Sequence, residues 1–168
     1  LHTLYLGPMQ VWCWHAVWAL LRAGVWGSWE TTEAELFAVA MIALNAEMRR
    51  WFNQFDQVNP GANMTRVNRL TIKMIGSEDA FALKTKAMET FGLLQCLLAM
   101  LQRHSARLGD EATTLVESGR CLLAYVNLLK EHGTRLSLRT RQELSDLWCR
   151  HMVLIRGWDV CLPKHHLM

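Results

Sequence analysis

Apolar residues return at helical spacing along most of the chain. From Met9 to Ala23 they fall at Val11, Trp14, Trp18 and Leu21, with Trp12 and Val17 on a flank. Gly24 and Gly27 supply the stop. Thr32-x-x-Glu35 reads as a capping box. The helix it opens runs to about Phe55, with Leu36, Val39, Ala40, Ala43, Ala46, Arg50 and Phe52 as one long stripe, until Asn59-Pro60-Gly61 breaks it. Residues 57–68 form the most loop-like linker, and Arg69–Ile75 fits either a short strand or one or two helical turns ended by Gly76.

Ser77-Glu78-Asp79 is expected to open the next helix, because acidic residues suit the positive end of the helix dipole. That helix continues through Leu83, Ala87, Phe91, Leu94, Leu98 and Leu101 to about Leu108, with Gly92 as a candidate interruption. After Gly109-Asp110 another carries Leu115, Leu122, Tyr125, Val126 and Leu129 to His132-Gly133. Thr140-x-x-Glu143 is a second capping box, opening a last helix through Leu144, Leu147, Trp148, Met152 and Ile155 that Gly157 closes. No alternating strand series and no repeats appear. The expected fold is all-α, an irregular bundle of about five helices in a single domain over residues 1–168.

Composition agrees with that pattern. Apolar residues make up 51% and charged ones 20%, enough to close a core and too few charges for a disordered chain. Eight tryptophans and nine methionines imply a core of large side chains or a surface that a partner covers. The net charge of +3 is too small to argue for nucleic acid without local clustering. The longest apolar run, Leu36 to Leu44, is about half of what a bilayer crossing needs, so no membrane span is expected. Cys13, Cys96, Cys121, Cys149 and Cys161 are an odd set without close pairs, which favours a reducing, intracellular compartment. Because the chain opens on Leu and stops at a motif without a tail, it is expected to be a piece of a longer polypeptide.

The candidate chemistry is sparse. Cys13-x-His15 and Cys149-x-His151 place thiol and imidazole two positions apart, on nearly opposite faces of a helix, and chelate poorly. Cys161 with His165 or His166 is better spaced but lacks co-ligands. Buried cysteines and ordinary helix histidines account for the set better, so no metal site is assigned. No nucleophile motif or phosphate loop of the usual spacings is present. Basic residues cluster once: Arg135, Arg139, Arg141, Arg150 and Arg156 lie between Gly133 and Gly157, near Trp148 and Trp158. Arginine beside aromatic rings suits phosphate contact and base stacking. The plainer account is the polar face of a surface helix. Lys84, Lys86 and Glu89 similarly read either as a solvated face with an ion pair or as a contact for phosphate or a divalent ion.

Three short stretches carry a family resemblance. Leu1-His2-Thr3-Leu4-Tyr5-Leu6-Gly7 resembles the Asp-x-Leu-His-x-Leu-x-Leu-Gly signature of transposase-like proteins encoded by mobile elements of large protist genomes. Lys84-Thr85-Lys86-Ala87-Met88-Glu89-Thr90 with Gly92-Leu93-Leu94 is similar to their Lys-Ala-x-Glu-Thr-x-Gly-Leu-Leu stretch. Pro163-Lys164-His165-His166-Leu167-Met168 resembles their Pro-Lys-x-His closing motif, and the order holds over all 168 residues. Broader relatives are the DDE transposases of the CACTA, Plavaka and KDZ kind, in which a helical region interrupts a ribonuclease-H-like core.

The resemblance implies a helical region that binds DNA beside a catalytic core held elsewhere in a parent polypeptide, and that is not catalytic alone. The parent would use two divalent ions, Mg or Mn, for strand cleavage and transfer; no cofactor is expected in this region itself. The acidic residue that should precede Leu1 is not in the chain. His2, Lys164, His165 and His166 would border the core, and Glu89 with Lys86 would face DNA or metal. His2, Glu89, His165 and His166 are thus the catalytic candidates, and Lys86, Arg139, Arg141, Arg150 and Lys164 the nucleic-acid contacts. The location implied is nuclear. Two alternatives remain open: a non-enzymatic interaction or scaffold domain that meets a protein partner through its tryptophan and methionine surface, and, less favoured, a zinc-stabilised helical module.

Overall fold

The computed structural model describes residues 1–27, 33–77, 80, 82–133 and 135–156. Over these all the regular secondary structure is helical. The elements are α1 (His2–Tyr5), α2 (Pro8–Arg22), α3 (Glu33–Val58), α4 (Ile72–Ile75), α5 (Ala87–Arg103), α6 (Ser105–Leu108), α7 (Asp110–His132) and α8 (Leu138–Leu154). Five are long, as the periodicity predicts, and α1, α4 and α6 are single turns.

The centre is α2. Twelve of its fifteen residues are buried, including Trp12, Trp14 and Trp18. A helix apolar on every side has to be surrounded, and α2 is enclosed by α1, α5 and α7. Pro8 starts it, where the missing N–H costs nothing. Gly119 of α7 makes the closest approach: a Cβ there would fall 2.3 Å from Trp12 Cζ2 and 2.8 Å from Leu98 Cδ2. The Trp12 indole fills that space and donates to the Leu115 carbonyl at 3.1 Å. A buried tryptophan gains when its N–H finds an acceptor, and here α7 supplies one. Helix α8 then lies along α7, burying the stripe Thr140, Leu144, His151 and Ile155.

A buried carboxylate ties three segments together. Glu47 on α3 accepts from Trp26 Nε1 at 2.9 Å, from Arg103 Nη1 at 3.0 Å and from His104 Nε2 at 3.0 Å. The turn after α2, the middle of α3 and the step between α5 and α6 thus share one acceptor. Its charge is satisfied inside the protein, as a buried carboxylate requires. Burial pushes the Glu47 pKa up, but the hydrogen bonds from Trp26, His104 and Arg103 outweigh it and hold the group below its ordinary value.

Several boundaries differ from the pattern. The helix expected to start at Ser77 starts at Ala87. Leu83 N–H donates to the Gln10 carbonyl at 3.4 Å and Lys84 N–H to the Met74 carbonyl at 2.9 Å, which commits this stretch to bridging neighbours instead of coiling. Glu78 and Asp79 lie outside the described residues. Thr140 is not a cap. Ser137 caps α8, accepting from Thr140 N–H at 3.0 Å, while Thr140 sits buried in the first turn and Glu143 pairs with Arg139. Gly92 does not interrupt α5. It lets the chain at Thr65 lie against the helix, where a Cβ would come within 2.4 Å of the Thr65 carbonyl oxygen. Helix α3 runs on to Val58, and the ambiguous segment after it settles into the single turn α4. The expected cap Thr32 and the closing Gly157 lie outside the described residues.

Candidate nucleic-acid interface

Two of the three resemblance stretches meet in the fold. Helix α1 rests on α5, with the rings of Tyr5 and Phe91 5.8 Å apart. Gln10 Nε2, just inside α2, donates to the Thr85 carbonyl at 2.7 Å. The Thr85 and Thr90 hydroxyls lie 2.7 Å apart, and Thr90 Oγ1 donates to the Lys86 carbonyl at 2.9 Å. Both threonines are buried, so the Lys84–Thr90 stretch is a satisfied polar joint between α2 and α5.

The charged candidates sit on the rim of this joint. Lys84 and Lys86 are exposed, as is His2 on α1. Glu89 is half-buried, and its carboxylate accepts the Lys86 backbone N–H at 2.9 Å, closing the first turn of α5. That is the work of an N3 glutamate at a helix start. Among the described residues, no group of three or more His, Cys, Asp or Glu side chains could hold a metal ion. Cys13 is buried and its thiol is pushed well up by burial and then by Cys96. Cys149 is exposed while His151 is buried, the opposite-face arrangement that the spacing predicts. Cys161, Lys164, His165, His166 and Trp158 lie outside the described residues.

The arginines of α8 divide into two groups. Arg139 and Arg150 are eleven positions apart in sequence, close to three full turns, and share one face. Each pairs with a carboxylate, Arg139 with Glu143 at 3.0 Å and Arg150 with Glu117 of α7 at 3.3 Å. Both pairs are exposed and worth roughly 0–1 kcal/mol, so a phosphate can displace the carboxylates at small cost. Arg141 points to the other flank. With Tyr125, Leu144, Ser145 and Trp148 it lines a cleft of about 220 Å³ between α7 and α8. The Tyr125 and Trp148 rings are 6.0 Å apart and inclined at 58°. The cleft therefore offers a guanidinium beside two half-buried ring faces.

Beneath it the two helices are tied by a buried contact that the sequence pattern does not reveal. His151 Nδ1 lies 2.8 Å from Ser118 Oγ, and the His151 and Trp148 rings are 5.5 Å apart. Ser118 and His151 are both buried and have no route to solvent, so this pair positions α8 on α7. The sequence signal was thin: a serine before Gly119 on an otherwise apolar stripe. Among the described residues, no helix is long and apolar enough to cross a membrane. No family model, curated protein or solved structure matches the chain.

Proposed function

We propose that this chain is the helical region of a mobile-element-derived, transposase-like protein, and that the α7–α8 hairpin binds DNA. The observation that carries the DNA contact is the cleft in which Arg141 stands beside Tyr125 and Trp148. A guanidinium next to aromatic faces provides both a phosphate contact and a stacking surface. Arg139 and Arg150 add a second line of positive charge three turns long on the other flank of α8. The family side of the proposal draws support from the joint between α1–α2 and α5, since two motifs distant in sequence make one structural unit. In this reading strand cleavage belongs to a ribonuclease-H-like core with its Mg or Mn ions elsewhere in the parent polypeptide. His2, Lys164, His165 and His166 would border that core, Glu89 with Lys86 would face the DNA or metal, and the protein would work in the nucleus.

The test is a salt titration of duplex and single-stranded DNA binding with three proteins: wild type, Arg141→Ala/Trp148→Ala, and Arg139→Ala/Arg150→Ala. Binding should weaken steeply with salt as phosphate contacts release counterions. The Arg141/Trp148 variant should lose about tenfold or more. The Arg139/Arg150 variant should flatten the salt slope by up to about two contacts. Absence of binding at low salt, or equal affinity of all three proteins, overturns the reading.

A further inference from the structure

Apart from α7 and α8, α3 and the segment running into α4 enclose a groove of about 640 Å³. Ala38, Met41, Ile42 and Ala46 line its α3 wall, the spacing of one helix face. Leu70 and Ile72 contribute apolar surface from the opposite wall. Ile42 is 69% exposed and Ile72 54%, and Val39 beside them on α3 is 55% exposed. The walls are held in register by one side chain. Asn45 Nδ2 donates to the Met41 carbonyl at 2.7 Å and the Leu70 carbonyl at 2.9 Å, while its Oδ1 accepts Leu70 N–H at 2.8 Å. The groove is thus built in advance of any occupant.

Its charge is of one sign. Arg49, Arg69 and Lys73 line it, all three are exposed, and among the described residues no Asp or Glu does so. None of the three joins an ion pair among the described residues, whereas Arg22, Arg66, Arg103, Arg139 and Arg150 all do. Among the described residues the apolar lining is aliphatic, without an aromatic ring on which a base could stack. Small residues at Ala38 and Ala46 flank Met41 and Ile42, leaving room for side chains of a facing helix. We infer that this groove receives an amphipathic acidic helix of a partner protein. Its apolar stripe lies along Met41, Ile42 and Ile72, and its carboxylates reach Arg49, Arg69 and Lys73. This binding function is separate from the DNA reading and uses none of the same residues.

The test uses two synthetic helical peptides of about 18 residues with leucines at i, i+3, i+4 and i+7. One carries glutamates on the flanks of the stripe and the other lysines. Binding is followed by fluorescence anisotropy against wild type, Arg49→Glu/Arg69→Glu/Lys73→Glu, the milder Arg49→Glu, and Ile42→Lys, each checked for an unchanged helical spectrum. The glutamate peptide should bind about tenfold or more tighter than the lysine peptide, and the triple reversal should invert that order. Arg49→Glu alone should weaken the glutamate peptide about threefold, and Ile42→Lys should weaken both peptides. Three results overturn the inference. They are binding of neither peptide, binding that ignores all the substitutions, and self-association or DNA binding of the wild type that the triple reversal abolishes while peptide binding is absent.

Discussion

Replacing Glu47 with alanine removes the acceptor that three segments share. The half-buried Trp26 indole N–H loses its partner, at a cost of about 1–3 kcal/mol. The Arg103 contact is half-exposed on the arginine side and contributes up to about 1 kcal/mol. His104, which is less exposed, adds about 1 kcal/mol. The sum is about 3 kcal/mol, which for a chain of this size lowers Tm by about 6–12 °C. Thermal unfolding followed by far-ultraviolet circular dichroism measures it, and a double-mutant cycle with Trp26→Phe should return a coupling of about 1 kcal/mol or more.

The same substitution has a pH signature. The Glu47 pKa is held below its ordinary value of 4.5, so its stabilisation is complete above that pH and disappears as pH falls through the folded-state value. Wild type and Glu47→Ala should therefore differ most near neutrality and converge in acid. A Tm loss under about 2 °C at pH 7, or a difference that does not shrink in acid, would refute the claim that this carboxylate ties α3 to the turn after α2 and to the α5–α6 step.

A second acid-sensitive group acts in a higher window. Burial, and then the charge of Arg22, lower His15 from 6.5 to about 4, so the unfolded chain binds the proton first and stability falls as pH drops from 6.5 toward 4. His15→Gln should flatten that limb by about 2 kcal/mol once solvent at the half-buried ring is allowed for, read from urea midpoints across the range. Gly119→Ala places a methyl group 2.3 Å from Trp12 Cζ2. It should cost about 1–3 kcal/mol and shift tryptophan emission; an unchanged midpoint would mean that α2 and α7 are not in the close contact described.

The five long helices were legible because burying one side of a helix leaves a mark every three to four residues. That mark is strong in α5, α7 and α8, but the stripe read for α3 was rotated, since Val39, Ala46 and Arg50 are exposed and Met41, Leu44 and Met48 join Phe52 in the core. The centrality of α2 was half legible. Its tryptophans announced a core, but only the fold shows that Trp12 is accommodated by the absence of a side chain at Gly119, 107 positions away. The start of α5 was misplaced because Glu78 and Asp79 carry the local signal of a helix N-terminus, while hydrogen bonds to Gln10 and Met74 hold the stretch before Lys86 extended. Thr140 misled in the same way. It has the composition of a cap, yet Ser137 reaches the orphan N–H and leaves Thr140 to the interior.

The candidate sites divide along the same line. Sequence identified an arginine-rich last helix beside tryptophan, since composition and local spacing suffice for that. It did not show that Arg141 faces an aromatic cleft while Arg139 and Arg150 share another face, because Tyr125 reaches the cleft from α7. Nor did it show that the Lys84–Thr90 stretch is locked onto Gln10, or that Arg49, Arg69 and Lys73 surround one groove. Periodicity along a chain marks where helices run and roughly how much of each turns inward, so helix number, approximate length and core composition follow from sequence. The partners of a buried carboxylate, the walls of a cleft and the sharing of charge between segments depend on which helices become neighbours. That is decided by packing between positions far apart in the chain.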